Sequence, residues 1–321
     1  MSRSLSGSTV RMLAAVLALV AGVGCSGKGA PAEDGLPPQL LEQHRIVVGG
    51  LERTYRLFVP PSDQGGGPFP LVLLFHGGGG NGLQFARVTR ADELAVREGF
   101  VVVYPDGMPL VGPLGRGGDW NAGADPPQTP AEIDRIDDVA FVRALLEKLA
   151  GQYRIDPKRI YATGLSRGAM LSYHLACTLS ERVAAIAPVA GAMTTADCRP
   201  KEAVAVLHIH GLTDQFVRVE GGRGVTQRYE WPAVGDGLAF WRRANGCPEP
   251  REPTLETTVA QCWQHRGCAS GRPVGFCAFE GGHVWPGQPD PPRWQERLGM
   301  KPVAGFSASE HVWAFFKANP K

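Results

Sequence analysis

Short apolar, β-branched runs recur along this chain with amphipathic stretches between them, and that alternation constrains the fold more than any other feature. "PLVLLFH" (70–76), "FVVVYP" (100–105), "RIYATG" (159–164), "VAAIAPVAG" (183–191) and "AVAVLHIHG" (203–211) read as buried strands. Helical periodicity falls at 83–98, 136–150, 168–179, 234–245 and 307–317. Strands apolar on both faces need cover on both, which a mostly parallel sheet between two helix layers supplies. The pattern predicts one α/β domain over 45–321, with two meander strands in "RIVVGGLERTYRLFVP" (45–60) and a hairpin within 255–280. Residues 106–134, holding six glycines and five prolines, are expected to form a loop-like insertion.

The N-terminus reads as an export leader. Arg3 and Arg11 precede an apolar run from Met12 to Val23, followed by Gly24 and Cys25. A spanning helix needs roughly 20 apolar residues, and this run is shorter, as in the h-region of a signal peptide. A small residue before Cys25 resembles a lipoprotein cleavage site, although Gly22 stands where a leucine is usual. A lipid on Cys25 would be the chain's only membrane attachment. Residues 25–44, rich in Gly, Pro and charge, read as a tether. The formal charge of +2 resides in Arg3 and Arg11; without residues 1–24 the count is 31 basic against 31 acidic. Such a neutral chain offers nucleic acid no electrostatic footprint.

Beyond Cys25 there are six cysteines, an even number that suits disulfides in an exported chain. Of 15 possible pairings, the expected one is Cys177–Cys198, Cys247–Cys268 and Cys262–Cys277. The last pair would face each other across a hairpin turning at "ASGR" (269–272). No CxxC-type ligand set is present, so neither a metal nor another cofactor is expected.

The stretch "YATGLSRGAM" (161–170) carries Gly164-x-Ser166-x-Gly168 between a strand and a helix. That context fits a nucleophile on a sharp strand-to-helix turn, where flanking glycines relieve collisions. A serine hydroxyl needs a base, and the base an acid, each on a loop after a strand. "LHIHGLTDQFV" supplies Asp214 and "FEGGHVWPG" supplies His283, in the order Ser, Asp, His. His208 and His210 are read instead as sheet-packing residues on opposite faces, and Asp137 and Asp138 as helix-capping residues. An oxyanion needs two backbone N–H groups. Arg167 is expected to give one. "HGGGGNG" (76–82) is expected to give the other through Gly78, with Gly77 next.

Together "LFHGGGGNG", "DWNAGA" (119–124), "YRIDPKRIYATGLSRGAM", "IAPVAGAM", "LHIHGLTDQFV" and "EGGHVWPG" make the chain resemble a secreted esterase family. Its members are poly(3-hydroxybutyrate) depolymerases, feruloyl esterases and acetylxylan esterases, and the resemblance covers about residues 45–320. It implies the α/β-hydrolase fold and a serine hydrolase with Ser166, Asp214 and His283 as triad, acting on an ester of plant cell-wall or polyester type. It also implies that Trp120 and Trp285 lie near the substrate cleft. Two departures stand out: "DPPQTP" follows "DWNAGA" where relatives often carry cysteines, and Arg167 replaces a small or amide residue. The Arg167 side chain is expected either to attract an acyl carboxylate or to contact the surface. Other readings are a serine peptidase of the same fold, which would want a cap or propeller domain, and a binding protein that has lost its chemistry.

Overall fold

The computed structural model describes residues 41–61, 67–112, 115–226, 228–288 and 300–321. The leader, Cys25 and most of the tether lie outside the described residues. Ten strands form one sheet. β1 (Gln43–Val48) and β2 (Leu51–Phe58) make the expected meander, pairing antiparallel from Gln43↔Arg56 to Val48↔Leu51. The parallel core consists of β3 (Phe69–Phe75), β4 (Val101–Pro105), β7 (Ile155–Leu165), β8 (Ala185–Val189), β9 (Ala205–Gly211) and β14 (Val274–Phe279). With β12 (Glu252–Glu256) and β13 (Ala260–His265), the spatial order is β1-β2-β4-β3-β7-β8-β9-β14-β13-β12, while β10 (Gly222–Arg223) and β11 (Glu230–Trp231) pair apart from it. The buried runs sit in the centre, where both faces are covered. The shorter antiparallel strands occupy the edges, where half-exposed alternation suffices.

Helices cover both faces. α1 (Gly82–Thr89), α2 (Ala91–Glu98) and α7 (Ala308–Ala318) share one apolar cluster with Val72, Leu74 and Val102. α4 (Asp138–Gln152), α5 (Arg167–Thr178) and α6 (Val234–Ala244) share the other with Leu71, Leu73 and Val103. Odd and even positions of β3 thus feed opposite clusters, as the two-residue period of a strand requires. The single helix expected over 83–98 is two, because Arg90 adopts left-handed dihedrals (φ 47°) and its N–H closes the first helix on Ala86 O.

The insertion at 106–134 is more ordered than its composition suggests. It forms a hairpin, β5 (Met108–Gly112) with β6 (Gly115–Asp119), followed by a short helix α3 (Pro130–Ile133). Proline and glycine content hid this hairpin, because two-stranded ribbons tolerate both residues.

All three disulfides form as expected: Cys177–Cys198, Cys247–Cys268 and Cys262–Cys277. Cys262 and Cys277 are direct partners across β13 and β14. No helix among the described residues is long and apolar enough to cross a membrane.

Candidate active site

Ser166 stands between the end of β7 and the first turn of α5, with φ 55° and ψ −115°. A non-glycine residue at positive φ is strained and persists only where its surroundings hold it. Here the clamps are visible. A Cβ on Gly168 would fall 2.0 Å from Phe75 O, and one on Gly164 2.5 Å from the same oxygen. Only hydrogens fit there, so the glycine spacing follows from how closely β3 and the turn approach. Ser166 N–H donates to Val189 O at 2.9 Å, tying the turn to β8 as well.

The loops after β9 and β14 bring in Asp214 and His283. Leu212 N–H donates to Phe279 O and Thr213 N–H to Gly281 O, both at 3.0 Å, so the two loops are zipped together. Asp214 is buried at the end of this zipper, and its Oδ1 accepts from Phe216 N (2.8 Å) and Val217 N (3.0 Å). His283 Nδ1 donates to Asp214 Oδ2 at 2.7 Å. Burial alone would raise the Asp214 carboxyl. The charge of His283 and hydrogen bonds from His210 and His283 outweigh it and hold the group well below the ordinary carboxylate range. With Nδ1 donating, Nε2 is the basic nitrogen of a neutral ring. Among the described residues neither this Nε2 nor the half-buried Ser166 hydroxyl has a hydrogen-bond partner.

The glycine loop 77–80 lies against the serine turn. A Cβ on Gly77 would stand 3.5 Å from Ser166 Cβ, and one on Gly78 3.0 Å from Arg167 Cγ. His76 explains how this loop is aimed. Its Nε2 accepts from Gly107 N–H at 2.9 Å, so its Nδ1 carries the proton and donates to Gly77 O at 2.7 Å. Gly80 N–H donates to the same oxygen at 3.0 Å. In a planar peptide the N–H points opposite to its C=O. Pinning Gly77 O therefore turns the Gly78 N–H outward, and that N–H donates to no group among the described residues. Arg167 N–H, the first of α5, lacks an acceptor within the helix for the usual helix-terminal reason.

The remaining expected site residues fare differently. The Arg167 side chain is buried rather than superficial or aimed at a substrate: its guanidinium pairs with Asp119 Oδ1 (3.1 Å) and Glu132 Oε1 (2.8 Å) and donates to Thr129 Oγ1 and Trp120 O. Trp120 and Trp285 are 0% and 1% exposed, so neither ring offers a surface to a substrate. Trp120 packs edge-on against Phe75 and donates from Nε1 to His76 O at 2.9 Å. Trp285 packs edge-on against Phe85 and donates to Ser309 Oγ at 3.0 Å. Each indole is thus packed with its N–H paired, and Trp120 braces the residue that opens the glycine loop. His208 and His210 share a face instead of opposing one another, since residues two apart in a strand point the same way. Their rings stack at 5.1 Å and 5°. Asp137 does cap α4, accepting from Ala140 N–H, whereas Asp138 is buried against Arg53 at 2.6 Å.

Comparison with known proteins agrees with this geometry. The model of the family described as "Esterase PHB depolymerase" matches residues 53–217. Feruloyl esterase B of Piromyces equi is 31% identical over 221 residues, covering 66% of this chain but 39% of that protein. The putative esterase NocK of Nocardia uniformis subsp. tsuyamanensis is 30% identical over 267 residues, covering 75% of this chain and 73% of the relative. Among solved structures, the acetyl xylan esterase from Aspergillus awamori superposes with a TM-score of 0.55 at 16% identity, over 86% of this chain and 99% of its own; it speaks to the fold alone. A ten-strand sheet with this order, a serine turn of this shape and a family match over half the chain lead to one assignment: the protein belongs to the esterase PHB depolymerase family of carboxylic ester hydrolases.

Proposed function

We propose that the protein is an exported serine esterase that works through an acyl-enzyme, with Ser166, His283 and Asp214 as its triad. Ser166 Oγ attacks the ester carbonyl while His283 Nε2 takes its proton and then returns it to the departing alcohol. Water enters by the reverse route and frees the acid. Asp214 orients the ring and supports the imidazolium. The N–H groups of Gly78 and Arg167 face the oxyanion. The observation that carries this reading is the 2.7 Å bond from His283 to Asp214, formed at the carboxyl ends of the parallel strands, where Ser166 also occupies its strained turn.

Export is supported by the leader at 1–24 and by three disulfides, which persist in oxidising compartments. The substrates proposed are esters of feruloyl or acetyl type, following the names of curated relatives. To test the chemistry, p-nitrophenyl acetate and butyrate are hydrolysed by the wild type and Ser166→Ala. Equal turnover by the two removes the reading. Methyl ferulate, acetylated xylan and hydroxybutyrate oligomers then rank the acyl groups.

A further inference from the structure

Behind Asp214 a row of buried polar groups runs into the core, and the reaction as described makes no use of it. Tyr173 OH lies 2.8 Å from His208 Nδ1, and His208 Nε2 lies 2.8 Å from His210 Nδ1. His210 Nε2 lies 2.7 Å from Val217 O and 3.3 Å from Asp214 Oδ2. All three side chains are 0–1% exposed. Groups buried this deeply lose their water hydrogen bonds and are tolerated only when replacements are supplied.

The direction of the row follows from its end. Val217 O can only accept, so His210 Nε2 carries a hydrogen. In a neutral ring His210 Nδ1 is then an acceptor, which His208 Nε2–H serves. That leaves His208 Nδ1 to accept from Tyr173 OH. Every donor points toward the catalytic carboxylate. Val217 closes the arrangement: its N–H donates to Asp214 Oδ1 while its C=O receives His210.

We propose that His210 is a positioning residue for Asp214, with Tyr173 and His208 fixing its tautomer, so that the acid is held by its own turn on one oxygen and shared between His283 and His210 on the other. This rests on the triad reading above. Burial holds His208 well below the ordinary imidazole range, which suits a link that stays uncharged. The groups facing His210 are His208, Asp214 and, by its field, Glu220 with its partner Arg218. Phe276 of β14, which stacks on His208 at 5.9 Å, adds no charge.

The test compares wild type, His210→Leu, His210→Gln and Tyr173→Phe in p-nitrophenyl acetate hydrolysis across pH, with far-UV circular dichroism to verify folding. Leucine removes the donor, and glutamine restores an N–H near Nε2. His210→Leu is expected to lower kcat about tenfold with KM unchanged. It should also move the acid limb of kcat/KM up by about half a pH unit, because a carboxylate relieved of one donor holds the imidazolium proton harder. Glutamine should recover most of both. Tyr173→Phe should move the limb the same way and lower kcat about threefold. A folded His210→Leu with kcat within twofold and an unmoved limb overturns the proposal. So does equal loss in the Leu and Gln variants with an unmoved limb, which is a packing effect. If His210→Leu does not fold, Tyr173→Phe decides, and an unmoved limb there is equally fatal. Full activity in Ser166→Ala sinks the triad and this inference together, whereas an inactive Ser166→Ala beside an unaffected His210→Leu sinks this inference alone.

Discussion

His283 Nδ1 and Asp214 Oδ2 meet at 2.7 Å although 69 residues separate them in the chain. Two backbone hydrogen bonds between the β9 and β14 loops make that meeting possible, and Gly211 permits it. A Cβ there would stand 2.3 Å from Gly281 O and 2.4 Å from Gly282 O. The proposed catalytic pair is thus set by how two adjacent parallel strands end.

The lowered Asp214 carboxyl makes stability depend on acid. A group whose folded value lies below its unfolded value of about 3.9 contributes stability above that pH and loses it as pH falls toward the folded value. Urea midpoints for wild type and Asp214→Asn, taken from pH 6 to 3, should therefore converge as pH drops below about 4. At pH 7 the same variant should lose about 10³- to 10⁴-fold in kcat through the wrong histidine tautomer.

Arg167 pairs with two buried carboxylates, and Glu132 is held below its ordinary range by that guanidinium against the opposing effect of burial. Arg167→Met strands both charges, so unfolding free energy should drop by about 3–5 kcal/mol in denaturant titrations. Arg167→Lys should rescue little, because one ammonium cannot reproduce a fork that reaches Asp119, Thr129 and Glu132 at once.

Two glycine-to-alanine changes should have opposite signs. Gly168→Ala drives a methyl into Phe75 O and is expected to cost more than about 4 kcal/mol, seen as loss of soluble protein. Gly151 lies near the end of α4 with nothing within 4 Å of a Cβ, so Gly151→Ala should raise stability by about 0.5–1 kcal/mol.

Trp120→Phe distinguishes a braced loop from a substrate contact. The ring is fully buried and its N–H serves His76 O, so the variant should lose about 1–2 kcal/mol of stability. Steady-state kinetics should show kcat falling while KM holds. A raised KM with stability unchanged would mean that the indole meets the ester after all.

The layers, most of the strand and helix order and the presence of disulfides were legible in the sequence alone, as was the chain order of the proposed triad, Ser166, Asp214 and His283. These follow from apolar period and glycine spacing, which are properties of short segments, and from cysteine parity, which calls for disulfides without choosing among the pairings. The sequence was silent on the break at Arg90, the hairpin inside 106–134, the burial of Arg167 and Trp120, and the row from Tyr173 to His210. The burial of Arg167 and Trp120 and the Tyr173–His208 contact depend on partners 35 to 48 residues away, brought close only when the sheet assembles. Local pattern can say that a side chain is charged or aromatic. Which buried group neutralises it, and which carbonyl its N–H finds, is decided by tertiary packing, because a polar group leaves water only where the fold supplies its replacement bond.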